Sequence, residues 1–457
     1  MFSQRIYRIG INSVDSFLTF GWEEIHRVYF SKYEMNFSDQ RAVLRVTAAL
    51  MLAQSLSSAA YSSSVAVNQL AIVGMTGLRS LGGLPSAVVL AGSAFMAYQA
   101  GKLVTRFGRR YVLTLGTLFG VLGGAIAGTG VFIASIAIFL CGLVVIGFGR
   151  GILDQSRFAA AEVNPSSRRA RALSFVVWGA TIGAVGGPLI APPLDALGQR
   201  LGLPQYVGAL YGTASFYVLA GVAIFVLLAL DLRGLVTRVA ALEPAVESET
   251  AAAKLPDAPQ RSLRRLLGEV PAARTALVAM AAGQASMALM MSCISIHMKD
   301  HNHGLGDIAA VISMHTLGMY ALSPVVGLLT DRIGRRRVIM LGASILIIGC
   351  VLVPISLNTP VIALAEFLVG LGWSGCYVAG STLLTDALGK DERARLQGAN
   401  DSVISICSAV GSLSSGILLE LIGIWPLSFV GLAVSALPLV FAAKLAADRR
   451  SLAMGSA

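Results

Sequence analysis

The sequence predicts an all-α membrane protein with twelve transmembrane helices in two pseudo-symmetric six-helix halves. Three observations point there. Charged residues make up only 13% of the 457-residue chain, whereas a soluble domain needs about 25%. Twelve apolar runs, each near the ~20 residues that a hydrocarbon crossing requires, follow one another with short gaps. Two loop signatures each occur twice, once per half.

Residues 1–41 read as a cytosolic or interfacial extension, rich in aromatics such as Phe17, Trp22, Tyr29 and Phe37. Arg5 and Arg8 precede the first acid, Asp15, as in a mitochondrial presequence, but Glu23 and Glu24 follow soon after. The first half, 42–232, carries spans at 46–67, 81–103, 111–130, 132–153, 174–194 and 211–230. Span 2 ends in GKLVTRFGRR, where Gly101 and Gly108 allow a tight turn and Arg106 and Arg109 anchor the loop. Span 4 is followed by EVNPSSRRAR, beginning at Glu162. GAVGGPLIAPP on span 5 reads as a proline-bearing stretch of small residues for close helix packing. Residues 233–274 are polar and proline-bearing, a cytosolic linker.

The second half, 275–457, repeats the plan, with spans at 275–297, 308–329, 338–355, 360–384, 403–422 and 426–445 and a short tail. Span 8 ends in GLLTDRIGRR, which places Gly327, Asp331, Arg332, Gly334 and Arg335 where the first half has Gly101, Thr105, Arg106, Gly108 and Arg109. Span 10 is followed by DALGKDERAR, beginning at Asp386.

Net charge is +11, yet its placement excludes a nucleic-acid footprint. Of 35 Lys and Arg, 30 lie in alternate segments. Arg79, Arg200 and Lys299 lie in the opposite loops, and Arg150 and Arg157 lie in or just past a span. This bias places both termini in the cytosol. All five cysteines fall inside predicted spans, so no disulfide framework is expected. No phosphate loop, nucleophile–base set or soluble catalytic domain is present in the pattern, and no enzyme is expected.

Four of the five histidines cluster at His297, His301, His303 and His315. Met287 and Met291 are four apart on span 7, and His315 and Met319 are four apart on span 8, so each pair shares a helix face. Counted from His303, Met291 matches His315 in depth, and Met287 matches Met319. The two layers would be about 6 Å apart. Thioether and neutral imidazole suit Cu(I), not Mg²⁺ or Ca²⁺. The bland alternatives are methionine packing and a His315 that relays protons or hydrogen-bonds an organic substrate. His297, His301 and His303 could collect metal at the outer mouth, or simply form a polar loop. Cys293 and Cys376 could be accessory soft ligands, but the favoured reading is that they are small apolar residues. Glu366, inside span 10, is a candidate for proton coupling.

The duplicated G-x-L-x-D-R-x-G-R-R loops resemble motif A of the major facilitator superfamily over nearly the whole chain from Arg41 onward. Thr105 departs from that motif, while Asp331 keeps its acid. The resemblance implies a gating role for these loops, with Asp331 helping to latch the halves together. Within the superfamily, M-x-x-x-M on span 7 with H-x-x-x-M on span 8 is similar to the CcoA-like copper importer family. That likeness implies a copper importer working by alternating access, with Met287, Met291, His315 and Met319 as ligands, which supplies cytochrome oxidase assembly. Copper would be the transported substrate, with no permanently bound cofactor. Relatives lacking these pairs include riboflavin transporters, so transport of a small organic solute, flavin-like or a drug, is the alternative. A copper sensor that moves nothing is the third possibility. The expected setting is a monomer in the lipid bilayer of the bacterial inner membrane, with the mitochondrial inner membrane as second choice.

Overall fold

The computed structural model describes residues 37–164, 169–227, 237, 268–387 and 390–455. The extension up to residue 36, most of the linker, and the centres of the loops at 162–171 and 386–395 lie outside the described residues. The first half comprises α1 (Phe37–Thr76), α2 (Leu84–Phe107), α3 (Arg109–Phe132), α4 (Ile136–Leu153), α5 (Arg169–Arg200) and α6 (Val207–Leu227). The second comprises α7 (Pro271–Asp300), α8a (Leu305–Tyr320), α8b (Ser323–Ile333), α9 (Arg335–Leu352), α10 (Thr359–Ala387), α11 (Lys390–Ile422) and α12 (Ile424–Gly455).

Among the described residues, eleven helical spans are long and apolar enough to cross a membrane. The twelfth, expected at 338–355, is α9, whose 18 residues open on Arg335, Arg336 and Arg337. Charge fills its first turn and shortens its apolar stretch. Large apolar side chains such as Phe225, Leu421 and Phe429 point outward, 61%, 74% and 61% exposed. Only lipid covers such a surface without cost.

Three boundaries differ from expectation. α7 starts at Pro271, inside the expected linker, because proline lacks only an N–H that the first turn leaves unbonded anyway. α12 continues as helix to Gly455, past the expected end at 445. Span 8 is interrupted after Tyr320. Pro324 cannot donate to the Tyr320 carbonyl, and its ring crowds that carbonyl.

The two halves repeat each other in detail. Gly108 and Gly334 hold φ of 86° and 93° with ψ of 158° and 148°, the extended left-hand region that only glycine occupies without strain. α3 packs on α4 through Gly123 and Gly142, and α9 packs on α10 through Gly342 and Gly372. Gly183 and Gly187 bring α5 against the α1 backbone at Ser55 and Ala59. The small residues of GAVGGPLIAPP thus serve close packing within a continuous helix that carries Pro188, Pro192 and Pro193. Between the halves, α5 packs on α8a, α2 on α11, and α1 on both α7 and α8a.

Candidate functional site

His315 lies on α8a, and the face it presents is set by two glycines. Gly318 rests on the α10 backbone at Phe367, and Gly370 of α10 rests on the backbone of His315 and Met319. With no Cβ in the way, α8a and α10 meet closely, and the imidazole reaches α10. Its Nδ1 is 3.1 Å from the Glu366 carbonyl and 2.9 Å from carboxylate Oε2. The side chains are 2% and 0% exposed. A carbonyl can only accept, so Nδ1 carries the hydrogen. The other ring nitrogen, Nε2, is buried without a hydrogen-bond partner, and neither carboxyl oxygen of Glu366 has a hydrogen bond.

The expected ligands are therefore distributed as follows. Met287 is buried in a hydrophobic cluster that draws residues from both halves, and Met291 and Met319 pack against that cluster. The polar contacts of His315 go to α10 and not to the α7 methionines. At the mouth, the rings of His297 and His301 are 4.5 Å apart, and His301 Nδ1 is 2.8 Å from the His297 carbonyl. His303 Nδ1 meets Thr359 Oγ1 at 3.2 Å. Cys293 donates to the Met290 carbonyl, and Cys376 is fully buried. Among the described residues, no three His, Cys, Asp or Glu side chains gather into a metal-holding group.

A second constellation lies where the halves face each other, and sequence reasoning passed over it. Arg150, near the end of α4, stacks its guanidinium 3.7 Å over the Tyr61 ring of α1. Its Nε is 3.8 Å from Asp154 Oδ2, and its Nη1 is buried with no partner. Gln54 donates to Asp154 at 3.3 Å and accepts from Ser156 at 2.6 Å. From the other half comes an aromatic wall. Trp373 stacks on Tyr377 at 5.0 Å and meets Tyr320 edge-on at 6.1 Å. Trp373 Nε1 donates to Gln284 at 2.7 Å, and Gln284 donates to Ser408 at 3.1 Å. Tyr320 ends α8a at the Pro324 break and stays 37% exposed. The available signals were Arg150 inside an apolar run and the aromatics of LGWSGCY.

The two faces of the molecule are tied differently. At the face expected outside, Arg79 Nε is 3.1 Å from Asp300, and the Ser80 N–H donates to Glu420 at 2.6 Å. Both interactions join the halves, and Gly83 meets the Ser412 backbone beside them. At the face expected in the cytosol, Arg109 grips Glu162 with two nitrogens, and Arg335 meets Asp386 at 2.9 Å. Each pair stays within one half. Asp331, 71% exposed, has its ion pair with Arg335 of its own half at 3.5 Å. The latch expected from Asp331 to the other half is not what this ion pair makes.

The sequence profile of the Major Facilitator Superfamily matches residues 48–296 and 275–454. The MFS-type transporter YdeG of Bacillus subtilis is 29% identical over 384 residues, 83% of this chain and 87% of its own. The riboflavin transporter RfnT of Brucella anthropi is 27% identical over 407 residues, 88% of this chain and 96% of its own. Among solved structures, the inward-open xylose transporter XylE from E. coli aligns with a TM-score of 0.65 at 14% identity. It covers 87% of this chain and 96% of XylE. A POT family transporter in complex with 5-aminolevulinic acid gives 0.63 at 13%, with the same coverage. Sequence and fold agree that the chain belongs to the Major Facilitator Superfamily, a family of multi-pass membrane transporters.

Proposed function

We propose that the protein moves a small organic solute with a planar aromatic ring, of the riboflavin class, across the bacterial inner membrane by alternating access. The observation that carries this reading is the wall of Tyr320, Trp373 and Tyr377, held by Gln284. A flat ring fits such a wall, and each ring contact is worth about 0.5–1.5 kcal/mol beyond its buried area. The span-long likeness to RfnT supports the same class. Glu366 would carry the coupling proton, because a carboxyl group fully buried in a membrane helix is costly unless it has work to do. The test is uptake of labelled riboflavin by the purified protein in liposomes. Accumulation above protein-free vesicles supports the reading, and no uptake of any flavin overturns it.

Copper import is the second reading, favoured by one observation. A metal-binding histidine donates its other ring N–H to a carbonyl or carboxylate, as His315 does to Glu366, leaving Nε2 free. The relatives described above lend it no support. Labelled copper taken up by the same liposomes, and lost in His315→Ala, would restore it.

A further inference from the structure

We propose that the ends of α7, α9 and α12 at the face expected in the cytosol form a binding site for the phosphate of an anionic phospholipid. Three cations from three helices converge there on one turn of α12. Arg274 Cζ of α7 lies 5.9 Å from the centre of the Phe441 ring, and Lys444 Nζ lies 5.8 Å from the same centre. Arg336 of α9 donates from Nη1 to the Ala442 carbonyl at 3.5 Å, and Thr275, next to Arg274, donates to the Phe441 carbonyl at 3.4 Å. Among the described residues, no carboxylate forms an ion pair with any of the three cations. Like charges gathered this way repel one another unless an anion joins them. Lys444 is exposed, and Arg274 and Arg336 are half-buried. Of their side-chain nitrogens, Arg274 Nε alone is buried without a partner. The terminal nitrogens of Arg274 and the Lys444 ammonium stay available to a ligand at the surface.

Depth decides which anion. The apolar span of α7 begins at Pro271 and that of α12 ends at Leu445, so Arg274 and Lys444 each lie within one turn of a span end. Arg336 is in the first turn of α9. All three therefore sit at headgroup level. Basic pockets between membrane helices at that level suit lipid phosphates, and a guanidinium matches a phosphate with two parallel N–H bonds. Deeper in the membrane, the same side of α12 exposes Val440 and Leu437, at 46% and 44%. An acyl chain can cover that strip, whereas a free phosphate ion would leave it bare. The first half supplies the contrast. Arg110 stands where Arg336 stands in the repeat, donates to the Phe225 carbonyl at 3.2 Å and lies 5.0 Å over the Phe225 ring. Among the described residues no second cation joins it on that ring, so Arg110 ties α3 to α6 without forming a site.

The site does not depend on which solute is carried. Its test is native mass spectrometry of the full-length protein in detergent, titrated with phosphatidylglycerol or phosphatidylcholine, with inorganic phosphate as competitor. Wild type should retain phosphatidylglycerol in preference to phosphatidylcholine, and inorganic phosphate should not displace it. Arg274→Gln combined with Lys444→Gln should weaken phosphatidylglycerol at least about tenfold, with phosphatidylcholine and elution unchanged. Arg110→Gln should bind as wild type does. Equal retention of the two lipids by wild type, or phosphatidylglycerol held equally by the folded double variant, would overturn the assignment. An equal loss in Arg110→Gln would overturn it too, since charge at this face would then act without a site. Displacement by inorganic phosphate would replace the lipid by a free anion and so contradict the proposal. Should the double variant not fold, Lys444→Gln alone, at an exposed position, should still weaken phosphatidylglycerol, and an unchanged affinity would overturn the site.

Discussion

Glu366→Gln replaces the carboxyl group 2.9 Å from His315 Nδ1 with an amide of the same shape, and the backbone carbonyl at that position, 3.1 Å from Nδ1, stays in place to hold the imidazole. The variant should therefore fold, with solute exchange across equal pH retained. Accumulation driven by a pH gradient should be lost, and gradient-driven accumulation at the wild-type level would show that Glu366 carries no proton. Gly334 is a second residue with a definite expectation. Its φ of 93° and ψ of 148° exclude a Cβ, so Gly334→Ala should destabilise by about 1–3 kcal/mol, seen as a lower melting temperature in detergent. His315 and Glu366 were each legible in the sequence, since an ionisable group inside an apolar run stands out. Their pairing was not. Matching depth between spans 7 and 8 says how far along a helix a residue lies and nothing about which way it points. The direction came from Gly318 and Gly370, which seat α8a against α10. Arg150 was legible by the same rule, but its place near the end of span 4 made it look like a loop charge.

The helices were legible because length and hydropathy alone define a membrane span. What escaped were features set by single residues. Pro324 breaks span 8 just past Tyr320, and that break belongs to the site because it leaves Tyr320 at a helix end. The duplicated loops were legible as repeats, yet their partnership was not. The arginines of one loop signature pair with the acid that opens the other, Arg109 with Glu162 and Arg335 with Asp386, across separations of 53 and 51 residues. Each loop pair thus clamps the ends of its own half. Arg335→Glu and Asp386→Arg should each lower the melting temperature slightly, and the double swap should restore part of it. These groups are largely exposed, so the coupling should be no more than about 1 kcal/mol. Additive losses in the double swap would mean that the pair does not act as a clamp.

At the scale of the molecule, the described residues form two halves joined by polar ties at one face. The tie is made by Arg79 with Asp300, by Ser80 with Glu420, and by close backbone contact at Gly83. Alternating access requires that tie to break. Arg79→Ala combined with Glu420→Gln should shift the population toward opening at that face. Spin labels placed across it would report longer distances, whereas an unchanged distance distribution would show that backbone packing alone holds it shut. The two-half plan followed from the repeats, but the substrate site depends on how the halves meet, which no local pattern encodes. The reading of the methionines and histidines as a copper path began from a local pattern. The aromatic and arginine cluster appears only when residues from α1, α4, α8a and α10 are brought together. The most direct measurement is uptake by proteoliposomes offered labelled riboflavin and labelled copper side by side, with wild type, Trp373→Ala and His315→Ala. The account predicts riboflavin uptake by wild type, reduced about tenfold or more in Trp373→Ala as two ring contacts and a hydrogen bond are lost, and no protein-dependent copper uptake. Copper uptake that depends on His315, with riboflavin ignored, would contradict it.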